Sequence, residues 1–314
     1  MAFGLCNSPA TYARAINLVL MGLTWEIVLA FLDDILVLGD SWNQHVTNLR
    51  RVLQRFREFG LKLKPKKCEL FKKEVEFLGR TVGPGGIALG PTYQQEMEVW
   101  TPPRNSKDVE RFLGFVNYHR NYVKDFSKLA IPLQRLTGKQ QFKWGEEEQI
   151  SFNKLKVAIT TAPVLTLPTS TDMFILDTDA SDFAIGAELS QLQVGNERVI
   201  AYGSFTLTPE QRRYCTTRKE LLAVIRFTRQ FRHYLLGRPF ILRTDHSSLT
   251  WLLGFKNPQG QLARWMEELS QFDMQVQHRP GAKHFPKSAV LRTSYEVDKE
   301  ICKVQVDCIL YKKI

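Results

Sequence analysis

The sequence predicts a mixed α+β and α/β chain of roughly two domains, the second built on a mixed five-stranded sheet with flanking helices. The length of 314 residues fits about two domains of ~150 residues each, and 44% apolar content can fill a sizeable core. In the second half, three strand-like segments precede a long helix, a strand, two helices and a last strand. This order predicts three antiparallel strands followed by helix and strand crossovers.

The net charge is +11, from 43 Lys and Arg against 32 Asp and Glu. A basic excess of this size favours a polyanionic partner, with nucleic acid ahead of an acidic membrane surface.

The cysteines are scattered, odd in number and without C-x-x-C spacing, so the sequence predicts neither a disulfide framework nor a zinc knuckle. They are Cys6, Cys68, Cys215, Cys302 and Cys308.

The amino-terminal residues show no basic region followed by an apolar one, so they are not typical of a secretory signal. Trp25 to Leu38 is apolar but is interrupted by Glu26, Asp33 and Asp34, well short of the ~20 residues that a membrane span needs. We therefore expect an intracellular protein, cytoplasmic or nuclear, with no membrane partner.

The first acidic pattern is Asp33–Asp34 within IVLAFLDDILVLGD. Apolar β-formers stand on both sides with no Gly, Asn or Pro between them, which predicts a hairpin with the acidic pair at its turn. An exposed turn with two ordinary aspartates is the alternative, but the apolar flanks favour a metal-binding pair. Helices are predicted for residues 9–22 and 45–59, and a lysine-rich turn or solvated edge strand for residues 62–67.

The second acidic pattern is FILDTDASDFAIGAELSQ, Phe174 to Gln191, which predicts a strand, a tight turn and a second strand. Asp177 and Asp179 fall where the first strand ends. Carboxylates crowded at the end of a core strand repel each other, and a divalent cation relieves that repulsion. The alternative is a solvated turn in which Asp177 and Asp182 cap backbone groups.

Residues 91–140 look helical, with a broad aromatic face between basic residues. Such a face is more often core than a platform for stacking bases, and both possibilities stay open. Pro163 and Pro168 suggest a domain boundary near residue 168.

The first 82 residues contain FGLCNSPATY, FLDDILV, GLKLKPKKC and FLGRTV in this order. Together these motifs resemble those of the Pol polyprotein of gypsy-type LTR retrotransposons. LGFVNYHRNYVKDFSKLAIPL is similar to the thumb of its reverse transcriptase, and TDAS, TTRKELLAV, LRTDHSSL and HRPG are similar to its ribonuclease H domain. The palm motifs occur in the family's order and spacing, as FGLCNSPATY (Phe3 to Tyr12), FLDDILV (Phe31 to Val37), GLKLKPKKC (Gly60 to Cys68) and FLGRTV (Phe77 to Val82). The resemblance implies the following domains: residues 1–90, a partial palm without fingers or first catalytic strand; 91–168, thumb and connection; 169–292, a ribonuclease H-like domain; 293–314, a tail of unknown role.

For the polymerase part, the resemblance implies that Asp33 and Asp34 bind catalytic magnesium. The family supplies a third carboxylate from a strand upstream of the FGL motif, and this chain begins at Met1, so we expect an RNA-directed DNA polymerase by lineage that is inactive alone. A second chain that completes the palm is one way to restore it, and the oligomeric state stays open. The implied nucleotide- and nucleic-acid-binding residues are Phe3, Gly4, Asn7, Pro9, Lys67, Phe77, Leu78 and Gly79.

For the ribonuclease H part, the resemblance implies that Asp179, Glu220 and Asp245 are the catalytic ligands of Mg²⁺ or Mn²⁺. Asp177 is the alternative if the match on the first strand is off by one step. Glu220 could instead be an ordinary exposed helix acid, and Asp245 could cap the helix that follows it.

The fourth family carboxylate is missing, because Ser288 stands in its place beside Lys287. We therefore expect a two-ion site that binds only one of its two metal ions tightly, and a low turnover rate. The implied function is metal-dependent endonucleolytic hydrolysis of RNA in RNA:DNA hybrids, with a hybrid or another nucleic-acid duplex as partner. A catalytically dead duplex-binding remnant and an unselected gene fragment are the alternatives.

Overall fold

A computed structural model describes residues 6–24, 26–138, 141–247, 249 and 259–279, and the backbone of residues 300–305. The chain divides into two compact units. The first unit comprises Met1–Pro91 with Arg292–Ile314, and the second comprises Thr92–Leu291. Within the described portion, none of the helices has the length and apolarity needed to cross a bilayer.

The helices of the first unit form where the sequence predicts them. Helix α1 is Ser8–Val19 and helix α2 is Trp42–Glu58. Helix α2 begins after Ser41, whose hydroxyl accepts a hydrogen bond from the Gln44 backbone N–H. Its residues Leu49, Val52 and Phe56 are buried at helical spacing. The strands of this unit are β1 Val28–Phe31, β2 Asp34–Gly39, β3 Glu69–Lys72, β4 Val75–Phe77, β5 Arg80–Gly83, β6 Gly86–Leu89 and, near the end of the chain, β12 Glu300–Gln305.

Strands β1 and β2 form the predicted hairpin around Asp33 and Asp34. Phe31 pairs with Asp34 across a two-residue turn, and Leu32 in that turn has a left-handed φ of 52°. The next residues of β2 are buried, which anchors the turn on the core. The hairpin prediction is therefore confirmed. The lysines before β3 lie in irregular backbone and a short 3₁₀ turn, Pro65–Lys67, which agrees with the predicted lysine-rich turn and not with an edge strand.

The tail, for which the sequence suggests no role, supplies a strand. β12 pairs antiparallel with both β2 and β3 and completes a sheet of order β1-β2-β12-β3. A separate three-stranded meander has the order β4-β5-β6. The last residues of the described chain therefore protect the inner edge of the strand that carries Asp34.

The second unit begins with four helices: α3 Pro91–Val99, α4 Ser106–Tyr118, α5 Phe126–Gln134 and α6 Glu146–Thr160. Phe112, Val116, Tyr122 and Phe126 of the aromatic segment are each no more than 3% exposed. Their burial makes these residues core, because a buried ring cannot stack on a base, whereas Tyr118 of the same segment is 56% exposed and remains accessible for stacking. The boundary near residue 168 falls inside this unit and stays a prediction.

The remainder of the second unit is the predicted mixed five-stranded sheet, in the order β11-β10-β7-β8-β9. β7, β8 and β9 are antiparallel, whereas β10 runs parallel to both β7 and β11. The predicted short helix after β10 lies mostly outside the described residues. The elements are β7 Phe174–Ala180, β8 Ala184–Gln193, β9 Asn196–Thr206, α7 Pro209–Arg212, α8 Thr216–Gln230, α9 Arg232–Leu235, β10 Phe240–Thr244, α10 Gly260–Leu269 and β11 Met274–His278.

Helix α8 packs on one face of this sheet. Its apolar residues Leu221, Val224 and Phe227 join Phe174 and Leu176 of β7 in one buried cluster. Burial of each such side chain contributes roughly 1.5–3 kcal/mol to stability. This packing fixes the helix, and with it the residues of its first turns, over the end of β7.

Candidate metal centre

Two of the predicted ligands lie at the same edge of the sheet. Asp179 is near the end of β7, and Asp245 directly follows β10. The two strands are parallel neighbours, with Thr178 opposite Thr244. The next residue on each strand is therefore an aspartate, and the sheet register alone brings the two carboxylates close together.

Helix α8, which packs on one face of the sheet, contributes the third ligand, Glu220. Carboxylate oxygens of Asp179, Glu220 and Asp245 all lie within 4.8 Å of one another. We call these three residues the carboxylate cluster. The two aspartates are partly exposed, whereas Glu220 is only 3% exposed and is not the solvated helix acid considered from the sequence.

The environment of Glu220 disfavours its charged form. Burial, together with the charges of Asp245 and Asp179, raises the pKa of Glu220 to about 8, although a hydrogen bond from the Ala180 backbone N–H acts in the opposite direction. Its Oε2 atom is buried and has no hydrogen-bond partner among the described residues. Such an atom is costly unless a proton or a cation satisfies it.

The donor set fits a divalent cation. Carboxylate oxygens are the hard ligands that Mg²⁺ and Mn²⁺ prefer, and one buried plus two partly exposed acids leave room for water or substrate oxygens. In the described part of the chain, no other group of three or more His, Cys, Asp or Glu side chains is placed to hold a metal. Asp179, Glu220 and Asp245 are the residues that could hold it.

Asp177, the alternative first-strand ligand, is engaged elsewhere. Its Oδ1 accepts a 2.9 Å hydrogen bond from Arg243 Nε, and its Oδ2 accepts a second from the same guanidinium. Arg243 also binds Glu197, with Nη1 3.0 Å from Oε2. This buried network lies beside the carboxylate cluster and does not join it. Asp182, the proposed cap, is exposed and pairs with Lys219 at 2.7 Å.

One cation reaches the cluster from a distant segment of the chain. Lys128 of α5 places its Nζ 2.7 Å from Asp179 Oδ2. Helix α5 packs on β8 and β9, and the Ser127 backbone N–H donates a 2.7 Å hydrogen bond to Ser204 Oγ. Sequence reasoning missed Lys128, because nothing in the helical pattern around it indicates a partner 51 residues away.

Two histidines beside the cluster were also missed as individual residues. His278 Nε2 lies 3.0 Å from the backbone oxygen of Asp245, and His246 Nε2 lies 2.9 Å from Thr217 Oγ1. These contacts join the segment after β10 to β11 and to α8. The HRPG and LRTDHSSL motifs that contain them were the available signal.

The polymerase residues belong to the first unit. Asp33 is exposed and Asp34 partly exposed, and the described residues bring no third ligand to them. Asn7 and Pro9 are exposed at the start of α1, and Lys67 is exposed in the 3₁₀ turn. Phe77 ends β4, and Leu78 and Gly79 form the turn to β5, both with positive φ. Phe3, Gly4 and Ser288 lie outside the described residues.

Two family models match the sequence. Residues 1–82 match "Reverse transcriptase (RNA-dependent DNA polymerase)" and residues 169–272 match "RNase H-like domain found in reverse transcriptase". The retrovirus-related Pol polyprotein from transposon 297 of Drosophila melanogaster is 36% identical over 298 residues, which are 94% of this chain and 28% of that protein. The transposon Tf2-3 polyprotein of Schizosaccharomyces pombe is 31% identical over 304 residues, 95% of this chain and 23% of that protein. The chain thus spans about a quarter of the length of these relatives.

Solved structures share the fold. The foamy viral protease-reverse transcriptase in complex with ds DNA superposes with a TM-score of 0.78 at 22% identity, over 90% of this chain and 50% of that one. The same viral protein in complex with RNA/DNA hybrid gives a TM-score of 0.75 at 22% identity, over 94% of this chain and 41% of that one.

Proposed function

The chain belongs to the Pol polyproteins of LTR retrotransposons, and on that premise we propose that its second unit hydrolyses the RNA strand of RNA:DNA hybrids with the help of a divalent cation. The observation that carries this proposal is the carboxylate cluster, in which Asp179, Glu220 and Asp245 converge within 4.8 Å. Without this convergence, neither the spacing of the three acids in the sequence nor the net charge of the chain would support a catalytic role, because isolated acids are ordinary surface groups.

The three acids have different tasks in this proposal. A bound Mg²⁺ or Mn²⁺ supplies water activation and stabilises negative charge on the scissile phosphate. Asp179 and Asp245 offer partly exposed oxygens where a substrate can approach, whereas Glu220 anchors from the buried side. Because the pKa of Glu220 is about 8, cation binding must release its proton at neutral pH, so cation affinity rises with pH.

The proposed substrate class rests on charge and on fold relatives. The net charge of +11 suits a nucleic-acid duplex. Two solved structures of the same fold are described as complexes with ds DNA and with RNA/DNA hybrid. A hybrid also matches the family model of the second unit, an RNase H-like domain found in reverse transcriptase.

Cleavage of a labelled RNA:DNA hybrid in Mg²⁺ or Mn²⁺ tests the proposal. Asp179→Asn should lower the rate at least ~100-fold, because it removes one cation ligand. Asp182→Asn is the matched control, since Asp182 lies three residues away, is exposed and pairs only with Lys219 among the contacts described. The enzyme proposal fails if wild type and Asp179→Asn cleave alike.

The rate of this enzyme is a separate part of the proposal. Ser288, which lies outside the described residues, replaces the fourth carboxylate of the family pattern, and a hydroxyl holds Mg²⁺ more weakly than a carboxylate. Restoring the acid with Ser288→Asp should raise the cleavage rate. A rate that does not rise would show that position 288 is not the fourth ligand position or that another part of the site is defective.

The second candidate function is duplex binding without catalysis, which the charge of +11 favours independently of the cluster. If this function is correct, the affinity of the chain for an RNA:DNA hybrid should fall steeply as salt is added and should be unchanged in Asp179→Asn. An unselected gene fragment, by contrast, should show no cooperative unfolding transition. For the first unit, we propose that Asp33 and Asp34 are metal ligands of the polymerase, which need a third acid that the described residues do not bring to them.

A further inference from the structure

We propose that Lys128 is a built-in counter-ion of the carboxylate cluster, which a divalent cation must displace from Asp179 before the site is fully occupied. This inference rests on the metal site of the proposed function and adds to it a residue from outside the ribonuclease H-like domain. It assigns helix α5 a part in setting the cation affinity.

The position of the ammonium group carries the inference. Lys128 Nζ lies 2.7 Å from Asp179 Oδ2 and 3.3 Å from Asp125 Oδ1. A carboxylate oxygen that accepts a hydrogen bond from an ammonium has one lone pair fewer to offer a metal. The two cations therefore compete for the carboxylate of Asp179.

The segment that carries Lys128 is held against the sheet by several independent contacts. Ser127 N–H bonds Ser204 Oγ at 2.7 Å, and Lys124 Nζ lies 3.0 Å from Glu188 Oε2. Asp125 approaches β8 so closely that a Cβ on Gly186 would lie 3.1 Å from its Oδ1. Lys128 thus extends from an anchored helix, and its proximity to the cluster is a property of the packing.

The charges around the carboxylate cluster explain why the contact between Lys128 and Asp179 is favourable without a bound metal and unfavourable with one. Among the described residues, the three acids of the cluster and Asp125 lie near Lys128, so its ammonium group reduces a local excess of negative charge. The positive charge of Lys128 also opposes the rise in the pKa of Glu220. A divalent cation would repel the ammonium at this distance, and the four-carbon stem of lysine allows it to swing away.

The expected size of the effect follows from the exposure of the pair. An opposite charge at hydrogen-bond distance shifts an acid's proton affinity by roughly 10- to 1000-fold. Lys128 and Asp179 are 34% and 39% exposed, and solvent screening reduces the effect toward the lower end. Removing the ammonium should therefore tighten cation binding roughly ten-fold.

Calorimetric titration of the full chain with Mn²⁺ alone, without nucleic acid, tests this. Lys128→Met keeps the apolar stem and removes the charge, and it should bind Mn²⁺ roughly ten-fold more tightly than wild type. Lys128→Arg keeps the charge and should stay close to wild type. Lys124→Met is the matched control, because it removes a lysine ion-paired to Glu188 from the same segment and should change Mn²⁺ affinity less than two-fold. Thermal unfolding of each variant verifies that it is folded.

The outcomes separate this inference from the proposed function. If wild type binds Mn²⁺ and Lys128→Met binds it no more tightly, or if Lys124→Met tightens binding equally, the counter-ion assignment is overturned. Tighter Mn²⁺ binding by Lys128→Met, in a protein that cleaves no hybrid, would support the assignment and overturn the proposed hydrolysis. If no Mn²⁺ binds to either protein, both are overturned.

Discussion

Arg243 on β10 lies directly opposite Asp177 on β7 and binds both of its carboxylate oxygens. The same guanidinium bonds Glu197, which accepts a 3.0 Å hydrogen bond from Ser190. One arginine therefore joins three strands of the sheet two residues before Asp179 and Asp245. The network explains why Asp177, one of two closely spaced aspartates on β7, is structural, whereas Asp179 belongs to the carboxylate cluster.

Asp177→Asn should destabilise the second unit without weakening cation binding. Asp177 is 7% exposed, and its loss leaves Arg243 with Glu197 as the remaining acid of this network. Breaking a buried pair typically costs 3–5 kcal/mol, and the second acid should limit the loss to roughly 2–3 kcal/mol. Urea unfolding measures the cost, and Mn²⁺ titration measures the affinity. Weaker Mn²⁺ binding with unchanged stability would instead make Asp177 a ligand.

The stability of the metal-free second unit should fall as pH rises from about 5 to 8. Glu220 has a pKa of about 8 in the folded chain against 4.5 when unfolded, so the folded state holds the extra proton in that window. A group with a raised folded pKa stabilises the fold fully below its unfolded pKa, and this contribution is lost as pH rises through the folded value.

The isosteric variant Glu220→Gln checks the sign. In EDTA it should flatten the pH dependence and be the more stable protein at pH 8, by a few kcal/mol at most. Unfolding curves at several pH values measure both effects. The raised pKa of Glu220 is contradicted if the metal-free stability of wild type rises between pH 5 and 8 and Glu220→Gln abolishes that rise.

Deletion of residues 293–314 should open the first unit at β2. Its backbone groups then lose the antiparallel partner β12, with which Asp34 to Gly39 are in register. Hydrogen exchange of the β2 amides that face β12 should accelerate, because an unpaired edge is exposed to water. The β5 amides pair within the separate meander and serve as the internal control. Unchanged exchange in β2 would argue against the β12 pairing.

Gly203→Ala should destabilise the second unit more than a surface glycine variant. A Cβ at Gly203 on β9 would lie 2.6 Å from the ring of Phe227 on α8, inside the packed core. Overpacking of this kind typically costs 1–3 kcal/mol. Gly114→Ala, on helix α4 of the same unit and with nothing within 4 Å of the added carbon, is the control for denaturant unfolding. Equal midpoints for the two variants would contradict the close packing of α8 on β9.

The sequence was sufficient wherever local pattern and short-range geometry decide the structure. Apolar β-formers around Asp33 and Asp34 predict the hairpin. The resemblance to the ribonuclease H family implies Asp179 and Asp245 as ligands, and the register of β7 and β10 brings the two residues together. The sequence was insufficient where partners are distant in the chain. The ion pair of Lys128 with Asp179 and the pairing of β12 with β2 depend on tertiary packing, which hydrophobic periodicity does not encode.

The pairing of β12 with β2 also determines when the first unit can complete its fold during synthesis. The first unit takes its last strand from residues 300–305, after some two hundred intervening residues of the second unit have been synthesised. The second unit is therefore an insertion within the first in sequence, and its residues can all leave the ribosome while β2 is paired with β1 alone and its other edge still lacks β12. Translation that stops anywhere inside the second unit would leave the strand of Asp34 with an unpaired edge, and such a product should depend on chaperones or be degraded.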